Sequence, residues 1–543
     1  MSRDQMPAWQ AVRASAERLR GTTLHQLWQD DPERAQHWMT RAGAFTLDLG
    51  KQRLDAEALS DLLDLAEAVD VPGALRAQAH GEVLNHTEGR AVLHTALRLP
   101  RLRALTLPDG EDVTTQVHDA LARMAALVER IHAGEWRGSN GYPISDVVNI
   151  GVGGSDLGPH MVCEALAEFA PPAGRALGIH FVASIDGSEL AELLATLRPE
   201  TTLFIIASKS FTTADTMANA ATAMAWLKRA VGSTEAVLRH HFIGVSASPA
   251  RMDEFGLPPD NQLRFWDWVG GRFSLWSTIG LPIALRLGMD GFRQLLDGAY
   301  WMDEHALNAP LVENLPVLMG LVGVWNATFC GLRAQAILPY DGRLSFFPAY
   351  LTQLEMESNG KSVSRAGEPL AYDTCPVLWG EVGPLAQHAF YQLLHQGTQR
   401  VTCDFIAPVR RYDDHDETLR RQHRLNLANC LAQARVLAFG DACLPAPDAS
   451  PHRRYRGDQP STTLLLEVLN PFTLGALIAL YEHKVAVMAT LWDINAYDQW
   501  GVELGKKIAV QTEAALLGDA DVPLDGSTRL LTALIRDLSG GTP

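Results

Sequence analysis

The stretch Asp146-Val-Val-Asn-Ile-Gly-Val-Gly-Gly-Ser-Asp-Leu-Gly-Pro159 decides how the chain is read. Asp146 to Val152 is a short apolar run of the kind buried on both faces of a parallel sheet. Glycines at 151, 153 and 154 break it, and Pro159 is suited to the first turn of a helix. Strand, glycine turn and helix in succession make a βα unit. A dinucleotide fingerprint starting at Gly151 would need glycine at 156, where Asp156 stands, and no GK[ST] follows for a phosphate loop of the Walker type. What remains is a turn of bare backbone N–H groups leading into a helix, suited to a sugar or an anion, with a plain tight turn as the competing reading.

Outward from this unit the alternation continues. Gly178–Ala183, Thr202–Ala207 and His241–Val245 read as further strands with helical stretches between them. A helical region over about 276–335 follows. A second alternation then has strands at Ala334–Leu338, Cys375–Trp379, Val401–Ile406 and Thr462–Leu469, and helices over 345–358, 384–396, 415–436 and 471–489. Short apolar strands separated by helices predict an α/β fold with two doubly wound parallel sheets on a similar plan. Residues 1–130 read as helical, chiefly over 54–69 and 114–132, and the chain ends in a helix over 497–517 and a polar tail. The expected organisation is a helical N-terminal segment over 1–120, a first, smaller α/β domain over 121–285, a second, larger one over 286–510 and a C-terminal arm over 511–543. Pro445–Pro460, rich in Pro, Arg and Asp, is the expected flexible loop.

Composition narrows the class. A chain of 543 residues, 47% hydrophobic and 20% charged, is a globular protein of several domains. The formal charge of −17 argues against nucleic acid and anionic membrane as partners. An anionic ligand must then be drawn by a local site. The six cysteines form no CxxC pair, which fits reduced thiols and a cytoplasmic setting. The charged start lacks the apolar core of a signal peptide, and the apolar run Leu315–Trp325 is too short to span a bilayer.

Five stretches carry chemistry. Ser208-Lys-Ser-Phe-Thr-Thr-Ala-Asp215 follows a strand end and opens a helix. Four hydroxyls and a lysine at a helix N-terminus suit a phosphate monoester, whereas capping by Thr212 or Thr213 would need one hydroxyl. Arg272 stands behind two glycines in Asp267-Trp-Val-Gly-Gly-Arg-Phe-Ser274 and could hold an oxyanion. In Gln353-Leu-Glu-Met-Glu-Ser-Asn-Gly-Lys361, Gln353 and Glu357 share a helical face while Glu355 points elsewhere. Asn359-Gly360 ends that helix, leaving Glu357 at the negative end of the dipole, where its charge is disfavoured. A surface pair with Lys361 is the competing reading for Glu357. His388 and His395 lie seven apart on one predicted helix, and so do Gln499 and Lys506, with a Glu503–Lys506 or Glu503–Lys507 pair as the plain alternative. His86 and His94 have no acidic or thiol partner in sequence and no HExxH occurs, so no metal is assigned.

Taken together and in order, these stretches resemble the phosphoglucose isomerase (glucose-6-phosphate isomerase) family. The matching segments are GVGGSDLGP at 151–159, SKSFTT at 208–213, DWVGGRFSLWS at 267–277, QLEMESNGK at 353–361, QHAFYQLLHQGT at 387–398 and DQWGVELGK at 498–506, supported by GRAVLHTALR at 89–98 and LGALIALYEHK at 474–484. The resemblance implies two flavodoxin-like domains of the sugar-isomerase type, a homodimer, no metal and no organic cofactor. It implies interconversion of glucose 6-phosphate and fructose 6-phosphate. By motif, Ser208, Lys209, Ser210 and Thr213 would hold the phosphate, and Gly154, Ser155, Gln353 and Gln499 would line the sugar site. Glu357 would move the proton through a cis-enediol, Arg272 would stabilise that intermediate, and His388 and Lys506 would assist ring opening. His388 would be supplied by the neighbouring subunit, oriented by Asp215, which stands where the family has glutamate. Base, cation and anchored phosphate suffice for an aldose–ketose isomerisation, with no redox carrier. A sugar-phosphate sensor would keep the phosphate loop and lose the base; a nicotinamide-dependent oxidoreductase would need the missing fingerprint.

Overall fold

The computed structural model describes residues 2–540, except 109, 412–414, 447, 449 and 520. The chain forms two compact units, Met1–Ala496 and Tyr497–Pro543. The first holds both sheets. A short hairpin, β1 (Met39–Ala42) and β2 (Phe45–Asp48), precedes them. Then come β3 (Asp146–Ile150), β4 (Gly178–Val182), β5 (Thr202–Ala207), β6 (Phe242–Ser246) and β7 (Gln262–Arg264). These five are all parallel, in the order β4-β3-β5-β6-β7.

The second sheet uses β8 (Ala334–Pro339), β9 (Val377–Gly380), β10 (Thr402–Arg410) and β11 (Ser461–Val468) in the order β9-β8-β10-β11. These four are parallel, and the N-terminal hairpin extends them because β2 pairs antiparallel with β11. The two parallel sheets therefore share a plan. In each, the second strand lies on one side of the first and the third on the other. The chain changes direction between β3 and β5, and again between β8 and β10. Such a switch point opens a crevice at the carboxyl ends of the strands.

Burial explains why these segments are strands. All six residues of β5 are buried, and four of five in β3. Val148, Ile150, Phe204 and Ile206 face Ala220, Ala223 and Leu227 of the helix Ala214–Val231. Each large apolar side chain so buried contributes roughly 1.5–3 kcal/mol. On the second sheet, Leu338, Phe405 and Ala407 pack with Tyr391, Leu394 and Leu437.

Several expectations need correction. The N-terminal region is not wholly helical, since β1 and β2 lie within it. The predicted helix over 384–396 is two, Gly383–Ala386 and Tyr391–Gln396, separated by a turn. The predicted helix over 345–358 begins as an α-helix at Phe347–Leu351 and continues as a π-helical segment, Thr352–Glu357. In the second unit a helix runs over Glu503–Leu516, and the supposed polar tail contains another, Gly526–Leu538. Parts of the Pro445–Pro460 loop, residues 447 and 449, lie outside the described residues. Leu315–Trp325 is not the only apolar stretch of note: the helix Pro471–Trp492 is long and apolar enough to cross a membrane. Here 94% of its most apolar window is buried inside the protein. It also carries Glu482, His483 and Lys484, each paired to another element. It is the central core helix.

Candidate active site

The site is assembled from the ends of β3 and β5, the segment before Arg272, and the helix that follows β8. Gly153 adopts a left-handed backbone (φ 61°), and a Cβ there would lie 2.9 Å from the Gln353 amide nitrogen. At Gly154 a Cβ would lie 1.9 Å from the Gly271 carbonyl oxygen. No side chain fits there, so the glycine turn lies directly on the backbone that leads to Arg272. A Cβ on Gly271 itself would meet nothing within 4 Å. Asn149 Nδ2 donates to the Ser155 carbonyl at 3.0 Å, which ties the turn to its own strand. Asp156, the next residue, is buried with one carboxylate oxygen lacking a partner. Burial, and then Glu189, push its carboxyl up to about 7.

After β5, Ser208 is buried and Ser210 and Thr212 are exposed. The loop holds itself together: Phe211 N–H donates to Ser208 Oγ at 3.1 Å, and the Thr212 hydroxyl donates to Ser210 Oγ at 2.9 Å. Ser208 Oγ lies 3.1 Å from Thr213 Oγ1. Buried Phe211 anchors the turn in a left-handed conformation (φ 55°), a strain of the kind stored at functional loops. Thr213 is the N-cap of the helix Ala214–Val231, yet no side chain caps that helix. The capping reading therefore fails here, and the helix start keeps its positive end for a ligand. Lys209 turns inward. Its ammonium donates to the carbonyls of Asp267 (2.7 Å) and Val269 (2.9 Å), joining this loop to the Arg272 segment. Burial, and then the neighbouring Arg90, lower it to about 8.

Arg272 is buried beneath the glycine turn. Its Nε donates to Ser358 Oγ at 2.6 Å and one terminal nitrogen to the Ala496 carbonyl at 2.5 Å. The other lies 3.4 Å from Glu357 Oε1. His94 supports this arrangement: its buried ring stacks on Phe273 at 4.4 Å between centroids. Burial, and then Arg98, hold that imidazole well below its usual range, so it is a neutral packing group. His86 is exposed.

Gln353 and Glu357 share a face, as expected, and Gln353 Nε2 donates to Glu357 Oε2 at 3.0 Å. The carboxylate is a quarter exposed, open on one side and held by Gln353 and Arg272 on the other. The Lys361 ammonium donates to the backbone carbonyls of Glu357 and Ser358, each at 2.8 Å, and closes the C-terminal end of the helix. A π-helical segment of this kind is often found where a helix supplies a functional side chain.

Within the first unit, neither His388 nor Asp215 hydrogen-bonds to this cluster among the described residues. His388 is exposed in the turn after Gly383–Ala386 and lines a cavity of ≈ 550 Å³ with Tyr391, His395, Gln433 and Tyr455. Asp215 sits in the first turn of the helix Ala214–Val231, and among the described residues it makes no hydrogen bond to His388 within the chain. In the second unit, Gln499 precedes a short 3-10 turn while Lys506 lies in the helix Glu503–Leu516, so the two do not share a helix. Lys506 pairs with Glu503 at 2.7 Å, the plain alternative noted above. Sequence reasoning missed Ser358 as the acceptor for Arg272; a serine directly after Glu357 was the only available signal.

The family model of phosphoglucose isomerase matches residues 48–532. The chain belongs to the phosphoglucose isomerase family. It is 56% identical over 542 residues to glucose-6-phosphate isomerase 2 of Chromohalobacter salexigens, covering 97% of each chain. It is 54% identical over 543 residues to the glucose-6-phosphate isomerase of Psychrobacter cryohalolentis, covering 98% of this chain and 97% of the other. A crystal structure of a glucose-6-phosphate isomerase from Chlamydia trachomatis superimposes with a TM-score of 0.85 at 31% identity, over 99% of this chain and all of that one. Membership of this family makes the chain an aldose–ketose isomerase, built on the mixed α/β fold described above.

Proposed function

We propose that the chain interconverts glucose 6-phosphate and fructose 6-phosphate, with Glu357 as the base that moves a proton between C1 and C2. The observation that carries this reading is the Arg272–Glu357 contact at 3.4 Å, with Gln353 on the other carboxylate oxygen. A carboxylate that is open on one side can accept a carbon-bound proton. The adjacent guanidinium stays charged throughout and stabilises the oxyanion that forms when the proton leaves. Removal of the C2 proton from the open-chain aldose by Glu357 gives a cis-enediol(ate) with the negative charge on O1. The O2 hydroxyl proton passes to O1, and return of the carbon-derived proton from Glu357 to C1 gives the ketose, with no net change of oxidation state.

The substrate phosphate would dock at Ser208, Lys209, Ser210 and Thr213, at the start of the helix Ala214–Val231. Gly154, Ser155, Gln353 and Gln499 would line the sugar. Anchoring the remote phosphate converts binding energy into alignment of C1 and C2 with Glu357. His388 and Lys506 would assist ring opening, with His388 reaching the site of a second subunit in a homodimer and Asp215 orienting it. The expected setting is the cytoplasm, and no metal or organic cofactor is required by a proton transfer of this type.

The test is direct. Purified protein is supplied with fructose 6-phosphate, and glucose 6-phosphate is read out by a coupled dehydrogenase. Turnover that persists in chelator is expected; absence of turnover overturns the reading.

A further inference from the structure

Glu355 lies between Gln353 and Glu357 in sequence but turns away from them into the core. Its carboxylate accepts from Lys484 Nζ at 2.8 Å, and both side chains are 1% exposed. Lys484 belongs to the central helix Pro471–Trp492. The same helix receives a second bond from this region, since Asn359 Nδ2 donates to the Val485 carbonyl at 3.3 Å. Around the pair stand Gln335 (3.5 Å from Lys484 Nζ) and, beyond it, Asp404, which accepts from Gln335 and Tyr481. The other Glu355 oxygen is buried without a hydrogen-bond partner.

A buried ion pair of this kind is a poor source of stability. Desolvation cancels most of its attraction, and apolar residues of the same volume commonly do as well or better. Its place suggests a different use. Glu357 is the proposed base, and it lies on a π-helical segment, a rare form of helix that recurs at functional sites. On the ligand side, Arg272 grips Ser358. On the core side, Lys484 grips Glu355. The segment is clamped from both faces, one bond on each side of Met356-Glu357.

We propose that the Glu355–Lys484 pair is a positioning device for the isomerase reaction, fixing the rotation of the π-helical segment so that Glu357 faces the reacting carbons. This rests on Glu357 being the base. A displacement of about 1 Å at a reacting group costs on the order of 10²-fold in rate. Loss of the anchor should therefore act on kcat and leave the phosphate grip alone.

The experiment compares wild type, the double variant Glu355→Leu/Lys484→Met and the single variant Glu355→Gln. The readouts are kcat, KM for fructose 6-phosphate, inhibition by inorganic phosphate and melting temperature. The double variant should melt at or above the wild-type temperature, lose about 100-fold in kcat, and keep KM and phosphate inhibition within about threefold. Glu355→Gln, which keeps a weaker neutral bond, should lose about tenfold in kcat. A folded double variant with kcat within about threefold of wild type overturns the proposal, as does a loss that falls equally on kcat, KM and phosphate inhibition. If the double variant does not fold, unchanged kcat in Glu355→Gln overturns it. An inactive wild type would instead overturn the reading of the active site on which the proposal rests.

Discussion

The Arg272 guanidinium lies 3.4 Å from the Glu357 carboxylate, and the same guanidinium donates to Ser358 Oγ, the next residue along. The arginine thus holds the backbone that carries the carboxylate as well as facing the carboxylate itself. Its loss should remove both functions.

Replacing Glu357 by Gln keeps the shape and the contact with Gln353 but removes the proposed base. We expect kcat to fall by at least ~10²- to 10⁴-fold, the usual contribution of a general base. Binding of fructose 6-phosphate, measured by calorimetry, should change little. Turnover near the wild-type value would exclude Glu357 from the proton transfer.

Arg272→Lys retains a charge but cannot reach Ser358, the Ala496 carbonyl and Glu357 together. The expected outcome is a loss of ~10²- to 10³-fold in kcat, comparable to removal of an oxyanion donor. The melting temperature should drop as well, because buried acceptors lose their partner. Full activity in this variant would show that a point charge suffices.

Gly154→Ala places a methyl group where the Gly271 carbonyl oxygen stands, 1.9 Å away. The two loops must separate, at about 1–3 kcal/mol of stability. The Arg272 segment moves with them, so kcat/KM should fall by on the order of 10²-fold while far-ultraviolet circular dichroism is unchanged. A fully active Gly154→Ala protein would contradict the tight packing described here.

The Lys209 ammonium, lowered to about 8 by burial and by Arg90, gives a pH dependence with a definite sign. Above that value the free protein loses the charge in the proposed phosphate loop. kcat/KM for fructose 6-phosphate should therefore decline as pH rises through about 8, and the decline should vanish in Lys209→Met. Stability runs the other way. The unfolded chain keeps the lysine proton up to its ordinary value of 10.5, so between 8 and 10.5 folding becomes more favourable at this site as pH rises. A calorimetric scan without ligand separates the two effects.

Asp156 titrates in the opposite sense. Burial and Glu189 hold its carboxyl up to about 7 against an ordinary 3.8. As pH climbs from 3.8 to 7 the unfolded state ionises first, and the folded state loses stability. Asp156→Asn should raise the melting temperature at pH 8 and leave it nearly unchanged below pH 4. An equal shift at both pH values would refute the buried, protonated carboxyl.

The alternation of apolar strands with helices made both parallel sheets legible except for β7, because buried strands such as β5 are almost wholly apolar, whereas Gln262-Leu-Arg264 is too short and polar to stand out. β1 and β2 escaped notice because they are four residues each, with Thr40, Arg41 and Thr46 among them, and gain their place only by pairing with β11. The break between Ala386 and Tyr391 was hidden because helix formers fill it. The Gln353–Glu357 face was readable from spacing alone. The Lys209 tether to Asp267 and Val269 was not, since backbone carbonyls leave no mark in a sequence. Nor was the Glu355–Lys484 pair, whose partners are 129 residues apart.

The proposed phosphate grip hangs on the first sheet, through β5, and the proposed base hangs on the second, through β8. At the site the seam between them is Gly153 against Gln353, and Arg272 reaching over to Ser358 and Ala496. On that reading neither half is a complete catalyst. The distance between handle and tool is set by that seam, so substrate length becomes a measured quantity. A sugar phosphate one carbon shorter should be gripped as firmly yet present the wrong carbon to Glu357.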